Sequence, residues 1–166
     1  MTIEQMSCHI SFKLNDKEQT VSVDTRTSLA DELREQCGMA SVRVGCAQGE
    51  CGTCTILLDG MPVRACLLLA VQADGAHVQT AEALSSPDML ARIKRAFKKH
   101  KALQCGYCTP GFLMLATNVL EKNPNIGDEE LLDVLASNLC RCTGYQNIIK
   151  AVRAARDEMR GARAPA

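Results

Sequence analysis

Ten cysteines stand in this 166-residue chain, at positions 8, 37, 46, 51, 54, 66, 105, 108, 140 and 142. A thiol can serve as nucleophile, disulfide partner or soft metal ligand, and spacing decides among these roles. Cys46, Cys51, Cys54 and Cys66 run as C-x4-C-x2-C with the fourth cysteine 12 positions on. This is the ligand spacing of a [2Fe–2S] cluster in plant-type ferredoxins. Three thiolates from the short loop GCAQGECGTC must face one cluster, so the backbone has to curl tightly. Gly45, Gly49 and Gly52 remove the Cβ atoms that would obstruct the curl and let N–H groups point at sulfur. Structural zinc sites favour paired C-x2-C knuckles, and this loop holds a single such pair.

Cys105 and Cys108 form a C-x2-C pair, and Cys140 and Cys142 form a C-x-C pair after 31 intervening residues. Two thiolates at C-x-C spacing could share one iron of a binuclear cluster, and zinc stays open on spacing alone. Cys8 and Cys37 lie outside both patterns and read as small core residues. His9, His77 and His100 have no ligand-like spacing. Two redox centres in one short chain suit a relay between sites on other molecules. The chain has no G-x-G-x-x-G, no G-x-x-x-x-G-K-[ST] and no nucleophile elbow, so a flavin, nicotinamide or other redox cofactor belongs on a partner.

Composition narrows the classes further. Nineteen Lys plus Arg balance nineteen Asp plus Glu, and a neutral chain lacks the basic excess that nucleic acid requires. With three Phe, two Tyr and no Trp, the core rests on Leu, Val, Ile, Ala and Met, and base-stacking platforms are not expected. The opening MTIEQMSCHISF lacks the basic and apolar regions of an export signal, and no run of 18 apolar residues provides a transmembrane segment. A cytoplasmic setting keeps thiols reduced, which favours metal over disulfides.

The elements that must position these thiols change character between Cys66 and Cys105. In the first half, Ile10, Phe12 and Leu14 alternate with polar residues as a half-buried strand, and Asn15-Asp16 turns the chain toward Val21 and Val23. A helix is predicted over 29–37, capped by Ser28 with Asp31 behind it and stopped by Gly38. Strands follow over 55–58, after the Asp59-Gly60 turn over 63–70, and over 77–80. The second half reads as four helices. Ser86-Pro87 opens one, with Leu90, Ile93 and Phe97 inward. Thr109-Pro110 opens the next, with Phe112, Leu115, Val119 and Leu120 inward. Asp128 caps the third, presenting Leu131, Leu132, Leu135 and Leu139. Thr143 caps the fourth, presenting Tyr145, Ile148, Ile149, Val152 and Ala155. Met89 and Met114 read as gap-fillers. In an up-down-up-down bundle the turn holding Cys105/Cys108 and the turn holding Cys140/Cys142 share one end, so the four thiols converge. The basic run ARIKRAFKKHK reads as a solvated helix face, with a partner-docking patch as the sharper alternative.

The motifs GCAQGECGTC (45–54), RAC ending at Cys66, QCGYCTPG (104–111) and NLCRCTGYQNI (138–148) together resemble the small iron–sulfur subunit of molybdenum hydroxylases, the xanthine oxidase family. The resemblance implies an α+β chain. A β-grasp, plant-type ferredoxin-like domain (1–82) would precede an all-α four-helix-bundle domain (83–155) and a tail (156–166), with a [2Fe–2S] cluster in each domain. It implies that Cys46, Cys51, Cys54 and Cys66 ligate the first cluster and Cys105, Cys108, Cys140 and Cys142 the second. Gln104 and Cys142 would contact a molybdopterin cofactor across a subunit interface. It further implies a heterotrimer, in a dimer of such units, with a large molybdenum-binding subunit and a medium FAD-binding subunit. Electrons would run from molybdenum through both clusters to FAD, and no substrate would be converted on this chain. The chain ends where the flavin and molybdenum domains of fused relatives would begin. A free-standing two-cluster carrier is the alternative.

Overall fold

The computed structural model describes residues 6–83 and 89–163. Strand alternation buries Ile10, Phe12 and Leu14 on one face of β1 (Ser7–Leu14), which pairs antiparallel with β2 (Lys17–Asp24). Between them Asn15 and Asp16 take φ of 47° and 70°, the left-handed pair that a two-residue hairpin needs to match strand twist. α1 (Leu29–Glu35) buries Leu29, Ala30 and Leu33. The Ser28 hydroxyl accepts from the Asp31 amide at 3.1 Å, as the cap predicts. β3 (Thr55–Leu58) and β4 (Met61–Arg64) form the second hairpin around Asp59-Gly60. β5 (His77–Gln79) runs parallel to β1 and antiparallel to β3, which closes the sheet in the order β2-β1-β5-β3-β4.

The strand expected over 63–70 is corrected. β4 stops at Arg64, and tight turns follow at Ala65–Leu67 and Ala70–Ala73. The apolar run LLLA has no alternation to hold it in a sheet, and its backbone bonds point elsewhere. The Leu68 carbonyl accepts from the Leu29 amide at 2.7 Å, and the Ala70 amide donates to the Thr27 carbonyl at 2.8 Å. Cys66 therefore sits on a turn after the strand, not within it.

Among the described residues after Ala83 the elements are helices: α2 (Met89–Lys99), α3 (Thr109–Lys122), α4 (Asp128–Ala136) and α5 (Gln146–Arg163). The Ser86-Pro87 cap lies outside the described residues. Leu90, Ile93 and Phe97 of α2 are buried as their spacing predicts. α3 departs from an amphipathic pattern because both halves of the molecule use it. Phe112, Leu113, Ala116 and Leu120 enter the helical core, while Met114 fills the space beside Leu57 of β3 and Ala81. Residue 108 precedes α3 as its cap position without a side-chain bond, so Thr109 is not the cap. Pro110 occupies the first turn, where its missing N–H has no partner to lose. Gly127, not Asp128, caps α4. That helix ends before Leu139, which is exposed along with Leu132.

Thr143 does not cap α5. Gly144 and Tyr145 take φ of 61° and 65°, and the Thr143 hydroxyl accepts from the Tyr145 amide at 3.2 Å in a local turn. Nor does the chain fray after Ala155. α5 continues because Met159 is buried in the helical core and Arg156, only 7% exposed, reaches across to α4. Its guanidinium donates to Asp128 at 2.7 Å and to the Ile126 carbonyl at 3.2 Å. A sequence that looks solvated thus carries its own buried partners.

Candidate metal centres

The loop between α1 and β3 turns back on itself through left-handed Ala47, Gly49 and Gly52, and this brings Cys46, Cys51 and Cys54 to one side. The Cys51 amide donates to Cys46 Sγ at 3.4 Å. With the Gln48 amide it holds the Cys46 thiol down at about 7, poised toward the thiolate that binds metal. The Thr53 hydroxyl lies 3.2 Å from Cys51 Sγ and is anchored on the Arg43 carbonyl at 2.7 Å. Cys54 is buried, its thiol pushed up to about 11 by that burial, and its side chain pairs with that of Cys66. The first quartet therefore stands as two linked pairs, Cys46 with Cys51 and Cys54 with Cys66.

In the helical half the two turns meet at one end of the bundle. Cys142 Sγ lies 3.6 Å from Cys105 Sγ, and the thiol of Cys108 pairs with that of Cys140. The closest thiol neighbours therefore run across the two turns, Cys105 with Cys142 and Cys108 with Cys140. The Tyr107 amide, 3.5 Å from Cys105 Sγ, is the main cause that lowers the Cys105 thiol, with Cys142 next and the Arg43 charge a smaller contributor. Burial pushes Cys108 up to about 12. Burial opposes ionisation of Cys140 too, but the Thr143 hydroxyl at 3.1 Å and amide at 3.5 Å prevail and lower it. Gln104 is exposed beside Cys105, and Cys105 and Cys142 are exposed as well.

Among the described residues no three His, Cys, Asp or Glu side chains converge as a set for a single metal ion. Four thiols arranged as two pairs, with backbone N–H groups on sulfur, have instead the donor chemistry of a two-iron core that takes two thiolates per iron. Cys8 and Cys37 are half-buried against the sheet core and belong to neither set.

Residues 12–85 match the model of the 2Fe-2S iron-sulfur cluster binding domain, and residues 80–153 match that of the [2Fe-2S] binding domain. The chain is 51% identical over 143 residues to the nicotine 6-hydroxylase small subunit of Paenarthrobacter nicotinovorans, covering 86% of each. It is 46% identical to caffeine dehydrogenase subunit gamma of Pseudomonas sp. strain CBB1, covering 89% of this chain and 91% of that one. Among solved structures, quinoline 2-oxidoreductase from Pseudomonas putida 86 superposes with a TM-score of 0.86 at 43% identity, covering 96% of this chain and 99% of that one. The chain belongs to the small iron–sulfur subunits of the molybdenum hydroxylases. As such a subunit it carries two [2Fe–2S] clusters and transfers electrons within a multisubunit oxidoreductase, without a substrate-converting site of its own.

How the small subunit joins its two centres was not readable from spacing. The Leu139 amide donates to the Cys51 carbonyl at 3.0 Å, so a residue of each quartet or its neighbour meets at one backbone contact. Around it the halves interlock without room for side chains. A Cβ on Gly52 would lie 1.8 Å from Asn138 Oδ1, and one on Gly111 would lie 2.2 Å from the Gly52 carbonyl oxygen. Two arginines span the joint. Arg64 donates to the Gly49 carbonyl at 3.3 Å and to the Ser137 carbonyl at 2.7 Å, and also to the Thr55 hydroxyl. Arg43 donates to the Gly106 carbonyl at 2.5 Å. Arg64 belongs to the RAC motif, but its reach to the helical half had no signal, and Arg43 lies outside every motif.

Proposed function

We propose that this chain is the wire of a molybdenum-dependent hydroxylase or dehydrogenase, relaying electrons from a molybdopterin centre on a large subunit to FAD on a medium subunit. The observation that carries the reading is the 3.0 Å bond between Cys51 and Leu139, which brings the two thiol quartets to one backbone contact inside a single chain. The clusters supply one-electron storage at a potential set by their surroundings. Cys46, Cys51, Cys54 and Cys66 hold the first, in the ferredoxin-like half, and Cys105, Cys108, Cys140 and Cys142 hold the second, in the helical half, whose last helix runs on to Arg163. Backbone amides of Cys51, Gln48 and Tyr107 stabilise charge on the ligating sulfur. Burial of Cys54 and Cys140 keeps water from one side of each centre.

The exposed Gln104 and Cys142 mark the face toward the pterin: an amide there both donates to and accepts from a pterin edge. The substrate is bound on the large subunit. The names of the relatives, which include nicotine, caffeine and quinoline enzymes, support N-heteroaromatic substrates. The assembly is a heterotrimer, dimerised, in the cytoplasm; among the described residues no helix is long and apolar enough to cross a membrane. The test is Cys105→Ser in the purified complex, assayed with N-heteroaromatic compounds. One of two paramagnetic signals disappears, and substrate oxidation no longer reduces flavin. Retention of both signals contradicts the ligand assignment, and isolation of the chain as a solitary stable carrier contradicts the assembly.

A further inference from the structure

Arg43 stands three residues before Cys46, yet its side chain leaves the first loop and enters the second. Its own carbonyl is fixed by the Thr53 hydroxyl at 2.7 Å, which ties its backbone to the first quartet. Its guanidinium donates to the carbonyl of Gly106, inside the Cys105–Cys108 turn, at 2.5 Å. Tyr107 covers the guanidinium, with the ring centroid 5.3 Å from the guanidinium carbon, and the Tyr107 hydroxyl returns to the Val44 carbonyl at 3.0 Å. The cation is thus clamped from both sides and half-buried. Among the described residues no carboxylate forms an ion pair with it. A positive charge fixed in place without a paired carboxylate, and partly shielded from water, acts over a few ångströms.

We propose that Arg43 is a positioning residue of the ferredoxin-like half that sets the reduction potential of the second cluster, raising it by placing a fixed cation inside that cluster's C-x2-C turn. Reduction adds one electron, and so one negative charge, to the second cluster, with no proton required. A neighbouring cation stabilises the reduced form and leaves the oxidised form less affected. The first cluster feels the charge less, because the side chain is directed away from its loop. The inference rests on the ligand assignment above. It also means that the second cluster reaches its working potential only when the two halves are docked.

The test is a potentiometric titration, followed by electron paramagnetic resonance, of the purified complex carrying wild-type, Arg43→Gln or Arg43→Lys subunit. The wild type settles the ligand assignment separately, because fewer than two signals there would refute that assignment before any variant is compared. In Arg43→Gln with its iron retained, the reduced-to-oxidised ratio of the second cluster at a fixed poise falls about tenfold, equivalent to ~59 mV for one electron. The first cluster moves less. Arg43→Lys keeps the charge and stays near the wild-type ratio. An unchanged second cluster in Arg43→Gln overturns the proposal, as does a fall in Arg43→Lys as large as in Arg43→Gln. If Arg43→Gln does not retain iron, the neutral Arg43→Met, which keeps the apolar stem against Tyr107, is read in its place: a tenfold fall supports the proposal and a wild-type ratio overturns it.

Discussion

At Gly111 the first turn of α3 lies directly against the carbonyl of Gly52, with no space for even a methyl group. The obstructing atom is backbone, so the clash is relieved only by moving α3 away from the first cysteine loop. Gly111→Ala is expected to destabilise the chain by about 1–3 kcal/mol, seen as a lower denaturation midpoint, with the iron content unchanged. Glu82 acts at the other side of the joint. Burial alone would raise its carboxyl, but the hydroxyls of Ser41 and Thr80 and the Ser41 amide, at 2.6 Å, hold it below the usual carboxylate range. A carboxylate with a lowered folded-state value contributes stability above the unfolded value, and that contribution is lost as pH falls through the folded one. Glu82→Gln is therefore expected to cost about 1–3 kcal/mol at neutral pH. The gap from wild type should narrow as the pH drops below 4.5, and a gap independent of pH would contradict the role given to the charge.

The elements show where sequence patterns suffice and where they fail. β1 and β2 follow from alternation, and the two hairpin turns from Asn15-Asp16 and Asp59-Gly60, because each signal is local; β3 is a short buried apolar run marked by the turn that follows it. The thiol sets were also legible, since ligands in one loop must be closely spaced and helix connections fix which turns share an end. Residues 65–73 were not, because their backbone partners, Thr27 and Leu29, lie on another element and an unbroken apolar run carries no period. The continuation of α5 was missed for a similar reason: Arg156 reads as solvated until Asp128 and Ile126 are brought beside it. Truncation after Ala155 is expected to remove at least ~2 kcal/mol of stability, through the lost burial of Met159 and the Arg156 bonds. Thermal unfolding checks this, and an unchanged midpoint would mean that the segment is dispensable.

At the scale of the whole molecule, the features that make the chain a relay lie between its halves: the Cys51–Leu139 bond, the Gly52–Gly111 contact, and the two arginines. Most of these residues lie within the cysteine motifs, but that they meet one another was not legible, because it depends on docking two units whose motifs are separately encoded. The basic run on α2, by contrast, is largely accounted for within the chain. Arg92 and Arg95 pair with Glu158, and Lys94 donates to the Ala81 carbonyl at 2.6 Å. Lys98 and Lys99 remain exposed at the helix C-terminus, where cations favour the dipole. Charge reversal at both is expected to leave co-purification with the partner subunits and its salt dependence unchanged. Weakened assembly would establish that end of α2 as a docking patch.

This chain holds two [2Fe–2S] clusters and transfers electrons through them. The most direct measurement is iron content together with low-temperature paramagnetic resonance of the reduced complex. Two distinguishable signals and about four irons per chain are expected, with the visible absorption bleaching when substrate is added. Colourless, iron-free protein, or colour that persists unchanged through turnover, would contradict it.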